Sequence, residues 1–391
     1  MKNIGRIIFN VCFVLSIVGF AFVQPGFAYD AEKEILTYAH IVYLSYNDSY
    51  EKAGELNNKV KAFLDDPTEE NLKGAKAAWL KAREPYGQTE AYRFYGGPID
   101  FVNQETGIEG PESRLNSWPL DEAYIDYVRD NPHSGIVNNL EIELTEESLV
   151  KRNIAEDEDT ISTGYHAIEF LLWGQDFNAD TPGNRPTSDY EKGDPIKERR
   201  RQYLQIVTDL LVKDLKSLVE QWRLAENEEN FAAVFTKADQ KEDLSKILTG
   251  LATLSGFELA SERMATPLDS GDQEDEHSCF SDNTHNDFLN NALGLRNVYL
   301  GEFGLYKGEG LTLLVAQVDP SLDRQIKSNL EQTIEAIKAI PAPIDLNVLA
   351  RPAGSPGRKK MEKAVRLLQR QADLFKDAGG KLGVKVDIVR E

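Results

Sequence analysis

Residues 194–226 read DPIKERRRQYLQIVTDLLVKDLKSLVEQWRLAE. Asp194 offers a capping carboxylate and Pro195 suits a first helical position. Behind them Tyr203, Ile206, Leu210, Leu211, Leu215 and Leu218 recur at helical spacing, which predicts one long helix with a single buried face. The same pattern repeats outward. Toward the N-terminus, Ile35, Tyr38, Val42, Tyr46, Leu56, Val60 and Phe63 mark a helix over about 31–64. Asp66-Pro67-Thr68-Glu69 then restarts the chain, with Asp66 as cap, Pro67 at the first position and Glu69 completing a capping box. Leu72, Ala75, Trp79, Ala82 and Tyr86 carry the next helix to Gly96-Gly97-Pro98. Toward the C-terminus, helices are predicted near 240–265, 284–307, 311–340 with a bend at Pro320, and 355–377. No alternating strand–helix pattern is present. The expectation is an all-α protein of two bundles, divided into residues 29–193 and 194–391, with helices shared between them. The stretch from about 97 to 143 is rich in Gly, Pro and Asn and is predicted irregular, a feature that usually has a functional reason.

The first 28 residues stand apart. Lys2 and Arg6 precede an apolar run from Ile7 to Val23, Pro25-Gly26 breaks it, and Gly26-Phe27-Ala28 presents small residues. This reads as a secretory leader removed near Tyr29, the alternative being a retained membrane anchor. The expected location is exported and periplasmic, with membrane association through an uncleaved leader as the variant. Loss of the leader removes Cys12 and leaves Cys279 alone, so no internal disulfide is expected and stability must come from the core.

The formal net charge is −21, and losing Lys2 and Arg6 with the leader makes it −23. Such a field disfavours nucleic acid as a partner and attracts cations. The candidate cation ligands fall in four places. His166 and Glu169 stand three apart in Gly164-Tyr165-His166-Ala167-Ile168-Glu169, so they share one helix face and can approach one metal ion together. Glu258 and Glu262 are four apart on another helix beside Arg263, where either metal ligation or ion pairing fits. Glu90 and Arg93 pose the same choice at the end of the second helix. His277, Cys279, Asp282 and His285 form a dense set of donors among further acidic residues, read either as a metal cluster or as a solvated acidic loop.

Gly164-x-His166-x-x-Glu169 resembles the signature of the imelysin family. The segments Gln88 to Phe94, Gly96 to Asp100, Asn116 to Leu120, Gly256 to Met264 and His277 to His285 extend the resemblance, the last two toward the iron-regulated protein A branch. The resemblance implies two helical-bundle domains forming a cleft that holds the His and Glu, a periplasmic location and a link to iron. Because polar groups set in apolar runs need partners, the metal site expected here is His166 and Glu169 with a carboxylate from Glu90 or Glu258 nearby, and iron or another divalent metal as cofactor. A further partner would be a periplasmic or outer-membrane iron-uptake protein.

Three functions compete. The first is a non-catalytic metal-binding protein of iron uptake or homeostasis. The second is a metallopeptidase, because some members of the family carry that name. Against it, His-Glu-x-x-His is absent and Phe170 follows Glu169 where the inverted motif needs His. The third is a module for haem, a siderophore or a protein partner. Covalent haem is excluded by the lack of Cys-x-x-Cys-His.

Overall fold

The computed structural model describes residues 29–225 and 229–389. The leader expected over residues 1–28 lies outside the described residues. Helix accounts for 66% of the structure and strand for 2%, so the core is built helix on helix, as expected. Among the described residues no helix is long and apolar enough to cross a membrane.

Helix α1, Glu32–Asp65, packs along α2, Glu69–Thr89, and along α4, Pro195–Trp222. The short α3, Gly164–Trp173, fills the space between α2 and α4. A second group contains α5, Gln240–Thr253, with its wide π-type continuation Leu254–Ala265. These pack on α8, Pro356–Leu382, which also lies along α7, Pro320–Lys338. Helix α6, Thr284–Leu300, joins the groups by packing on α2 from one side and on α7 from the other. Because α4 packs on α1, the first group reaches beyond residue 193.

Local chemistry explains where helices begin. Asp194 accepts from the N–H groups of Ile196 (2.9 Å) and Lys197 (3.0 Å), with Pro195 at the first position, as the sequence predicts. At the α1–α2 junction the cap is Thr68, which accepts from Asn71 N–H, while Asp66 ends α1. The expected bend at Pro320 is a break. Asp319 closes a short helix, Leu311–Val318, and caps α7 by accepting from Ser321 and Leu322 N–H, so Pro320 starts a new helix. Helix α6 stops before its expected end because Gly301 turns left-handed at φ 76°. The chain then makes a small hairpin of β1, Glu302–Phe303, and β2, Tyr306–Lys307.

The stretch between α2 and α3 holds five short helical segments, Glu90–Tyr92, Glu112–Leu115, Glu122–Ile125, Gly135–Asn138 and Glu146–Arg152, and over 97–143 is otherwise irregular, as predicted. It packs on α3 and α4 and brings Asn116 to Arg83 of α2 and Trp118 to His166 of α3.

Candidate functional site

All ten residues of α3 are buried, so its two polar side chains must find partners inside the protein. The helix is pinned on each side. Trp79 Nε1–H donates to the Tyr165 carbonyl (2.9 Å), and the Tyr203 hydroxyl donates to the Ser162 carbonyl (2.8 Å). Gly164 has φ +86°, and a Cβ there would stand 2.6 Å from the Leu115 carbonyl oxygen, so the irregular segment crosses where a side chain would be.

His166 and Glu169 project together as their spacing requires. His166 Nδ1 lies 2.9 Å from Glu169 Oε2. The other oxygen, Oε1, accepts from the Ser281 N–H (3.0 Å) and hydroxyl (2.6 Å). His166 Nε2 is buried and has no hydrogen-bond partner. The imidazole packs edge-on against His277, with ring centroids 4.7 Å apart, and against Trp118 at 5.0 Å. Burial, then the neighbouring His277 and Arg83, hold the His166 pKa well below the usual imidazole range. Burial pushes Glu169 well above the usual carboxylate range, against the two Ser281 hydrogen bonds.

Behind the pair lies a dense polar network. Arg83 is buried on the apolar face of α2. Its Nε donates to Asp287 Oδ1 (3.2 Å) and its Nη1 to Asn116 Oδ1 (2.5 Å), and its Nη2 lies 3.4 Å from His277 Nδ1. Burial and the Arg263 charge push His277 down to about 4, so both imidazoles are neutral at neutral pH.

Glu90 and Glu258 sit in an adjoining ion-pair cluster. Glu90 Oε2 accepts from Arg93 (2.8 Å) and Arg263 (2.7 Å), and its Oε1 from Asn116 Nδ2 (3.3 Å). Burial alone would raise the Glu90 pKa, but Arg263 and Arg93 outweigh it and hold the group at about 2. Glu258 accepts from Arg263 Nε (3.0 Å) and Nη2 (2.6 Å). Among the described residues no hydrogen bond or ion pair joins Glu90 or Glu258 to His166 or Glu169. The connection runs from Glu90 through Asn116 to His277, and from His277 to the face of His166. The grouping of His166, Glu169, Glu90 and Glu258 is therefore two neighbouring clusters. The physical reason is the two arginines, which take up the oxygens that a metal would need.

A cavity of about 440 Å³ opens over this region and is lined by Arg93, Asn116, Trp118, Glu258, Glu262, Arg263 and His277 among others. Glu262 is exposed on its wall. His277 forms part of the floor, and His166 stands behind it. The buried Trp118 Nε1–H has no acceptor.

The dense donor set 277–285 does not converge, and its segment is not a solvated loop. Glu276 to Ser281 are buried. His277 faces His166. Cys279 Sγ lies 3.8 Å from Glu274 Oε2. Asp282 turns toward Asp176 and Asp345, and His285 Nε2 lies 2.9 Å from the Ile337 carbonyl oxygen. The separation follows from local backbone. A short helical turn, Cys279–Ser281, and the left-handed Asp282 aim successive side chains in different directions. Residues missed from sequence are Arg83, Asn116, Ser281, Asp287, Asp176 and Asp345. Arg83 left a signal, as a charge in step with Leu72, Ala75, Trp79, Ala82 and Tyr86, while Asn116 and Ser281 stood inside segments that carry the family resemblance.

The family model for imelysin matches residues 42–375. Iron-regulated protein A of Synechococcus elongatus is 28% identical over 324 residues, spanning 80% of this chain and 76% of that protein. Among solved structures, an iron-regulated protein A precursor from Parabacteroides distasonis superposes with a TM-score of 0.71 at 20% identity, over 91% of this chain and 96% of the other. An imelysin-like protein from Psychrobacter arcticum gives a TM-score of 0.64 at 13% identity, over 92% and 98% of the two chains. These two likenesses bear on the fold.

Proposed function

The chain belongs to the imelysin family, and from that membership we propose that it is an exported, non-catalytic metal-binding protein serving iron uptake or homeostasis. The observation that carries the proposal is His166 Nε2, a buried nitrogen without a partner on an imidazole whose other nitrogen is held by Glu169. A carboxylate behind an imidazole is the arrangement that orients a metal-binding histidine and raises its basicity. Glu169 thus acts as the orienting group and His166 as the ligand, with the His277 ring, its centroid 4.7 Å from that of His166, as the neighbouring imidazole. Imidazole donors suit iron, zinc and copper. Two nitrogens leave room in the coordination shell for water or for a chelate entering from the cavity. The similarity to iron-regulated protein A favours iron, and the leader predicted over residues 1–28 favours export.

The non-catalytic part of the proposal is supported by Glu169. Both its oxygens are engaged, one by His166 and one by Ser281, so no free carboxylate beside the imidazole can serve as a general base. A second reading, an anionic iron chelate as ligand, is favoured by Trp118 Nε1–H, a donor without an acceptor on the cavity wall.

The test is calorimetric titration of untagged, metal-stripped protein with ferrous, zinc and cupric ions. His166→Ala should abolish binding at this site, and Glu169→Gln should weaken it about 10–100-fold. Binding should strengthen as pH rises, because a metal on Nε2 requires the pair to give up a proton that burial of Glu169 makes it hold. Equal affinity in wild type and His166→Ala would remove this site. Metal-dependent peptide cleavage abolished by Glu169→Gln would replace the proposal with a peptidase.

A further inference from the structure

A second group of acids lies beyond the far end of α3. Asp176 follows that helix, Asp282 follows Ser281, and Asp345 opens the turn Asp345–Leu349. Each offers one oxygen, and the three oxygens lie within 4.8 Å of one another. Asp345 is only 3% exposed, yet neither of its carboxylate oxygens has a hydrogen-bond partner. Asp176 Oδ2 and Asp282 Oδ1 are likewise buried and without partners. Among the described residues none of the three is ion-paired with a lysine or arginine. Glu276, 1% exposed, adds a fourth carboxyl facing Asp345.

Asp176 Oδ1 accepts from the Asn178 N–H (2.9 Å), but the four carboxyl groups stand together without a lysine or arginine, and burial and mutual repulsion both oppose their charge. Burial, then Asp345 and Asp176, push Asp282 up to about 7. Burial is also the leading cause that brings Asp176 to about 6. Two things can relieve such a cluster: a shared proton between Glu276 and Asp345, or a bound cation.

We propose that Asp176, Asp282 and Asp345 bind one divalent cation of the calcium class, at a site separate from His166. The donors are all oxygen, which suits a hard cation and disfavours copper or zinc. They come from three separate segments, an irregular arrangement that calcium accepts more readily than magnesium, which demands a near-ideal octahedron. The cation joins the end of α3 to the buried segment that carries Ser281, and so holds Ser281 against Glu169.

The experiment is calcium chloride titration of EDTA-stripped, full-length mature protein at pH 7.5, by calorimetry and by thermal unfolding. The expected result is one equivalent of calcium with a rise in melting temperature. Asp345→Asn and the milder Asp282→Asn should each lower calcium affinity at least tenfold. His166→Ala should leave it unchanged, which separates this site from the proposed metal site. Absence of both heat and thermal shift would leave the shared proton as the answer and overturn the proposal. So would wild-type affinity in both aspartate variants, or binding of manganese with none of calcium.

Discussion

Glu90 and Asp345 are both almost fully buried carboxylates, at 1% and 3% exposure. Their surroundings are opposite. Glu90 receives hydrogen bonds from Arg93, Arg263 and Asn116, whereas Asp345 receives none and faces three other acids. Burial by itself therefore does not tell a structural carboxylate from one that seeks a ligand. Donor supply does. A carboxylate with arginines on it has no capacity left for a metal, and one without donors gains from a proton or a cation.

The largest expected effect comes from removing Glu90. Glu90→Gln leaves Arg93 and Arg263 short of a buried counter-charge and should cost about 3–5 kcal/mol of stability, read from urea unfolding at pH 7.5. A loss below about 1 kcal/mol would mean that the arginines find other partners, and the contrast with Asp345 would fail. Asp345→Asn should have the opposite sign. In EDTA it removes a buried carboxyl group whose oxygens have no hydrogen-bond partner and should stabilise by about 1–3 kcal/mol, a gain that disappears when calcium is added. Destabilisation in EDTA would show that Asp345 has a favourable role without a cation.

The two regions should also respond oppositely to pH. The folded pKa of Glu90 is depressed to about 2, so its contribution is present above the unfolded value near 4.5 and is lost as pH falls toward 2. Asp176 and Asp282 are raised to about 6 and about 7. Their contribution is present below about 4 and is lost as pH rises through 6 to 7. The stability difference in EDTA between wild type and the Asp282→Asn variant should therefore decline from pH 5 to pH 7, and calcium should flatten the decline. A flat profile without calcium would contradict it. The smallest effect belongs to Glu262, exposed on the cavity wall. Glu262→Ala should change stability by no more than about 0.5 kcal/mol, which makes it the control for a carboxylate that needs no partner.

Capping rules and periodicity located the long helices because those signals are local. Asp194-Pro195 folds as read, and Tyr203, Leu211, Leu215 and Leu218 are buried where their spacing puts them. Pro320 was harder, because a proline within an apolar pattern signals a bend or a restart equally, and the Asp319 cap decides for a restart. Likewise Glu69 made Asp66 look like a cap, and the structure gives that role to Thr68.

By itself, the sequence determined that this is an acidic, helix-built chain with His166 and Glu169 on one face of one helix, because spacing along a helix fixes which side chains share a direction. It could not determine who meets them. His277 reaches His166 from a segment more than a hundred residues away, and Ser281 reaches Glu169 from the same segment. Arg93 and Arg263 take Glu90 and Glu258 out of the predicted ligand set, and Asp345 joins Asp282 from a third part of the chain. Charge and ligand type are written locally, but whether a carboxylate ends against an arginine or against another carboxylate depends on long-range packing, which only the tertiary structure settles.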